Sequence, residues 1–105
     1  MQIQVNTDHN IVASAEMIAQ VEELLTDKLK RFAPRISRLE VHFSDENSAA
    51  KSYGDDKKCV LEARLNGMQP VAVTANGAGI VPSLRGAIDK LRASLDTAIG
   101  KQREH

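Results

Sequence analysis

Residues 61–95, "LEARLNGMQPVAVTANGAGIVPSLRGAIDKLRASL", carry two hydrophobic periods, and their order decides the fold. Leu61, Ala63 and Leu65 alternate with Glu62 and Arg64, the two-residue period of a strand with one buried face. Asn66-Gly67 follows, a pair that supplies the positive φ angles of a type I′ hairpin. Val71, Val73 and Ala75 then line a second strand. The stretch 76–83, "NGAGIVPS", reads as a loop, with Pro82 suited to the first turn of a helix. From there Leu84, Ile88, Leu91, Leu95 and Ile99 recur at the step of one helix face, and Gly100 stands where a C-cap belongs. A hairpin feeding an amphipathic helix implies that the helix folds back over the sheet.

The upstream half supplies the rest of that sheet. Residues 2–7 alternate, with Ile3 and Val5 on one side and Gln2, Gln4 and Asn6 on the other. Ser14 is placed to cap a helix, and Glu16 in its first turn suits the helix dipole. Met17, Val21, Leu24, Leu25, Leu29 and Phe32 give that helix a buried stripe to about residue 32, where Pro34 stops it. Residues 36–44 form the next strand, with Leu39, Val41 and Phe43 inward and Arg38, Glu40 and His42 outward. "DENSAAKSYGDD" has no period and reads as a flexible hairpin loop, before a strand over residues 57–66. The element order is β-α-β-β-β-α. It predicts an α+β fold, a four-stranded mixed sheet with two helices packed on one face, as in double-stranded-RNA-binding-like domains. Short hairpins make the last three strands an antiparallel meander, and the intervening helix permits parallel pairing of the first two. Residues 1–100 read as one domain and 101–105 as a short polar tail.

Composition narrows the function classes. In 105 residues, 42% are hydrophobic and 27% charged, the balance of a folded domain. Lys and Arg number 14, as do Asp and Glu, so the net charge is zero and a generic polyanion binder is disfavoured. The charge is unevenly placed: Lys28, Lys30, Arg31, Arg35 and Arg38 stand against Asp27 alone between residues 27 and 38. No apolar run approaches the roughly 20 residues of a membrane span. The polar N-terminus "MQIQVNTDHN" and the single Cys59 predict a cytoplasmic location.

Catalytic and metal chemistry find little to use. Cys59 shares the inward parity of Leu61, whereas His42 points opposite to Phe43, so the two cannot form a nucleophile and base, and Cys59 reads as a buried structural thiol. His9, His42 and His105 are scattered and lack ligand spacing. Asp55-Asp56 lacks a calcium-loop pattern, and "NGAG" lacks the Lys-Ser/Thr end of a phosphate loop. No cofactor is expected, and the chain is not expected to be an enzyme. With Phe32 and Phe43 committed to the core and Tyr53 alone in a loop, base stacking is disfavoured; recognition of RNA shape and phosphates is the mode left open.

Three features together resemble a known family: the opening strand "MQIQV", the Ser14-capped helix ending in "KLKRF" before "RISRLEVHF", and the strand, turn, strand, loop and helix of residues 61–95. The chain is similar over nearly its whole length to the short ribosome hibernation promoting factors and ribosome-associated inhibitors, also called sigma-54 modulation proteins. The resemblance implies a non-enzymatic protein that docks in the small ribosomal subunit, on 16S rRNA in the channel for messenger and transfer RNA. It would silence translation in stationary phase or stress. DNA and membranes are not expected partners, and a monomer is favoured. The RNA-binding candidates are Lys28, Lys30, Arg31 and Arg35 at the end of the first helix, with Arg85 and Arg92 one heptad apart on the outer side of the second and Lys90 near its edge. The competing expectation is a protein-interaction module of the same fold without ribosome affinity, favoured by the neutral charge and by an unusual entrance to the second helix.

Overall fold

The computed structural model describes residues 1–45 and 56–103. Their order is β1 (Gln2–Thr7), α1 (Ala15–Lys28), a 3-10 helix (Lys30–Arg35), β2 (Ile36–Asp45), β3 (Asp56–Leu65), β4 (Val71–Ala78) and α2 (Ile80–Arg103). The strands form one sheet in the order β1-β2-β3-β4, with β1 parallel to β2 and the later pairs antiparallel. Register converts the sequence alternation into a single apolar face. Ile3 stands beside Leu39, Leu39 beside Ala63 and Ala63 beside Val71. One row along, Val5, Val41, Leu61 and Val73 line up in the same way. The helices cover this face: α2 packs on β3 and β4, and α1 lies over β1 and beside α2. Leu84, Ile88, Leu91 and Leu95 of α2 and Val21 and Leu25 of α1 are no more than 1% exposed. Each such side chain contributes about 1.5–3 kcal/mol of burial free energy.

Ser14 caps α1 as expected, its hydroxyl accepting the Met17 N–H at 3.1 Å. The helix ends earlier than its apolar stripe. α1 stops at Lys28, and the chain tightens into the 3-10 helix that contains Pro34. A proline in an α-helix would clash with the carbonyl four residues back, here that of Lys30. Tightening relieves this and stacks Leu29 and Phe32 on one side, both buried. A second irregularity follows at Ser37, where the β2–β3 register shifts between Ile36 and Arg38. This bulge lets Ile36 and Leu39, three residues apart, both reach the core. The Ser37 hydroxyl donates to the Arg64 carbonyl at 3.1 Å.

The β3–β4 connection is not a type I′ turn. Gly67 has a φ of 71°, but among the described residues no non-glycine residue, Asn66 included, has a positive φ. Asn66 is held instead by the 3-10 segment: its backbone N–H donates to the Arg35 carbonyl at 3.0 Å and its side-chain amide to the Pro34 carbonyl at 3.3 Å. Residues 76–83 are not a loop either, since β4 runs to Ala78 and α2 starts at Ile80, two residues before Pro82. Gly79, at φ 114°, makes the corner between them. Gly100 does not cap α2, which continues through the expected tail to Arg103. The expected flexible loop, Tyr53 included, falls on residues 46–55, outside the described residues, and Asp45 and Asp56 at its margins belong to strands.

The far end of the sheet is fastened by Asp8. Its carboxylate accepts the Asp45 N–H at 2.9 Å and the Asn10 N–H at 3.0 Å, and the first of these bonds above all holds its carboxyl below the usual value. Beside it Lys57, on the core face, lies 3.8 Å from Asp45.

A candidate nucleic-acid interface along the helix seam

The sheet's open face and its helical face differ in charge. On the open face Arg38 stands opposite Arg64, and Glu40 opposite Glu62, with each cation paired to the acid two residues along its own strand, at 3.1 and 3.7 Å. That face is balanced by short-range pairs. The cations singled out in the sequence lie on the helical side.

The two helices run side by side in the same direction. A cleft of about 810 Å³ separates the second half of α1 from the start of α2, lined by Gln20, Glu22, Glu23, Leu24, Thr26, Asp27 and Lys30 on one wall and Val81 and Arg85 on the other. Further on, Lys28 meets Arg85, Asp89 and Arg92 around a smaller hollow floored by Ile88. At the far end Arg31 makes a two-pronged contact with Asp96, at 3.0 and 3.2 Å, and its guanidinium lies 4.4 Å over the Phe32 ring.

The seven candidates therefore separate into three settings. Lys28, Lys30, Arg85 and Arg92 are exposed and hold no hydrogen bond or ion pair among the described residues. Arg31 is tied to Asp96, while Arg35 is half-buried and has a partner of its own. Lys90 is on the other flank of α2, not with Arg85 and Arg92. Its ammonium donates to the Thr74 carbonyl of β4 at 2.7 Å, covering the edge of the sheet. A four-residue helical step from Gly86 points Lys90 that way, whereas Arg85, Asp89, Arg92 and Asp96 form the stripe facing α1. The sequence reading missed that this stripe alternates in sign. The spacing carried the signal, because residues 85, 89, 92 and 96 repeat at the three-and-four step.

Cys59 and His42 lie on opposite faces of the sheet. Cys59 is fully buried, and burial pushes its thiol up to about 12. His42 is exposed on the open face of β2. Among the described residues no group of three or more His, Cys, Asp or Glu is placed to hold a metal ion. No helix among them is long and apolar enough to cross a membrane.

Residues 3–105 match the family described as sigma 54 modulation protein / S30EA ribosomal protein. No curated protein matches the chain by sequence. The fold is similar to that of a ribosomal subunit interface protein from Coxiella burnetii, with a TM-score of 0.72 and 17% identity over 95% of this chain and 99% of that one. It is also similar to the N-terminal domain of Protein Y from Thermus thermophilus, with a TM-score of 0.67 and 19% identity over 92% and 98% of the two chains.

Proposed function

The chain belongs to the sigma 54 modulation protein / S30EA ribosomal protein family, and on that premise we propose that it is a ribosome-associated factor of the cytoplasm that inhibits translation in stationary phase or stress. It binds the small subunit, in the channel that messenger and transfer RNA use, and acts by occupying that space. No bond is made or broken. One observation carries this reading beyond family membership: Lys28, Lys30, Arg85 and Arg92 stand on the exposed helical layer without internal partners among the described residues. Cations left unpaired along the helix seam suit phosphates of 16S rRNA, whose capture releases condensed counterions. Arg31 and Arg35 flank them and join where RNA competes with their present contacts, whereas Lys90, bonded to Thr74 on the other flank of α2, is not part of this group.

Sedimentation of the full chain with purified small subunits tests the proposal. Co-migration at low salt that is lost at high salt is expected. A folded chain that stays in the supernatant at low salt overturns it. That result would favour the second reading, a protein-interaction module of the same fold. Its supporting observation is the acidic lining of the larger cleft, where Glu22, Glu23 and Asp27 outnumber Lys30 and Arg85.

A further inference from the structure

The hollow midway along the helix seam has a volume of about 120 Å³ and is walled by Lys28, Arg85, Ile88, Asp89 and Arg92. Lys28 comes from the last turn of α1, and Arg85 and Arg92 stand two turns apart on the same side of α2. Its floor is Ile88, only 1% exposed. Three cations thus converge from two elements on one apolar-floored depression, and among the described residues none of them bridges Asp89. The contrast lies a few residues along the same seam, where Arg31 and Asp96 do close on each other at 3.0 Å. Three positive charges against one negative leave a local surplus in a chain whose net charge is zero.

We propose that this hollow seats a single phosphate group, held by Lys28, Arg85 and Arg92, with Asp89 on the rim setting a ceiling on affinity. The seat deepens the proposed ribosome reading, on which it rests for its RNA source, by naming the place where one backbone phosphate is gripped. The ligand chemistry follows from the wall. Guanidinium forks match pairs of phosphate oxygens, and an ammonium adds a point charge. A tetrahedral anion offers oxygens toward both helices at once; a carboxylate offers two oxygens in one plane. No aromatic ring lines the hollow, so nothing there selects a base.

The test uses the full chain and inorganic phosphate. Thermal unfolding is followed across a phosphate titration, against sodium chloride at matched ionic strength. A saturable rise in the wild-type midpoint is expected, as for any ligand of the folded state. K28Q and R92Q should lose the saturable part, with unchanged far-ultraviolet circular dichroism showing that both remain folded. Asp89→Asn should tighten phosphate binding about fivefold, the factor one removed unit charge supplies at close range in water. General salting-out stabilisation by phosphate would persist equally in all four proteins, and that result overturns the seat. Sedimentation with small subunits is read separately. Co-migration without a saturable phosphate effect also overturns the seat, while leaving the ribosome reading in place. A saturable effect without co-migration upholds the seat, assigns it to a free phosphate ester and overturns the ribosome reading.

Discussion

Two glycines in one chain face opposite demands. A Cβ at Gly77 would lie 2.6 Å from the Ser83 nitrogen, 2.8 Å from the Pro82 carbonyl carbon and 2.9 Å from the Ser83 Cα, all backbone atoms of the α2 entrance. A Cβ at Gly100, in the body of α2, would meet nothing within 4 Å. Gly77→Ala is therefore expected to destabilise by about 1–3 kcal/mol, the cost of overpacking a contact that cannot yield. Gly100→Ala should stabilise by about 0.5–1 kcal/mol, because alanine loses less backbone entropy in a helix. Urea denaturation of both variants checks the opposition; equal shifts would mean that the β4–α2 contact is looser than described. Cys59 supplies a pH prediction at the same scale. Folded, its thiol holds a proton to about 12; unfolded, it releases it near the ordinary value of 9.0. A raised folded pKa contributes stability that is fully present below 9.0 and is lost as pH rises from there toward 12. The wild-type urea midpoint should fall more steeply than that of Cys59→Ala as pH rises from 9.0 toward about 12, and thiol reagents should label Cys59 only after unfolding.

At the scale of the element, the inward side of every strand was legible because parity is a local property: Leu39, Val41, Phe43, Cys59, Leu61 and Ala63 are all fully buried. Element ends were less legible, since long-range contacts fix them. Asn66-Gly67 carries the local chemistry of a type I′ turn, yet Asn66 bonds to Pro34 and Arg35, 32 and 31 positions upstream, and takes another shape. The Ser37 bulge left one trace in the sequence, two inward residues three apart, at Ile36 and Leu39, inside an alternating strand. The basic candidates were found by type and spacing, but their partners lie across the seam, where a one-dimensional reading does not reach. Arg31 shows the consequence. Its bond to Asp96 joins side chains 64% and 54% exposed, so Asp96→Asn should cost less than about 1 kcal/mol of stability. The same change releases a guanidinium toward solvent. On the proposed function, Asp96→Asn then binds small subunits more tightly than wild type at low salt, and Arg31→Gln binds no better than wild type. Pelleting across a protein titration measures both; weaker binding by Asp96→Asn would place the interface elsewhere.

For the whole molecule, zero net charge decides how binding must depend on salt. Such a chain exerts little long-range pull, and its cations act within about a Debye length, roughly 8–10 Å at physiological ionic strength. On the proposed function the helix seam supplies the attraction, while the open sheet face pairs Arg38 with Glu40 and Arg64 with Glu62. The four cations on that seam that hold no partner among the described residues, each neutralising one phosphate, predict a log–log slope of affinity against salt of roughly −3 to −4. Reversing Arg85 and Arg92 to Glu together should bring the slope toward zero by roughly 2 and weaken binding at low salt, with folding intact because both side chains are exposed. Affinity measured at several salt concentrations for both proteins decides the matter. A wild-type slope near zero would mean that shape alone docks the chain. An unchanged slope in the double variant would move the phosphate contacts off α2, to the Lys28–Arg35 end of the first helix and its 3-10 continuation.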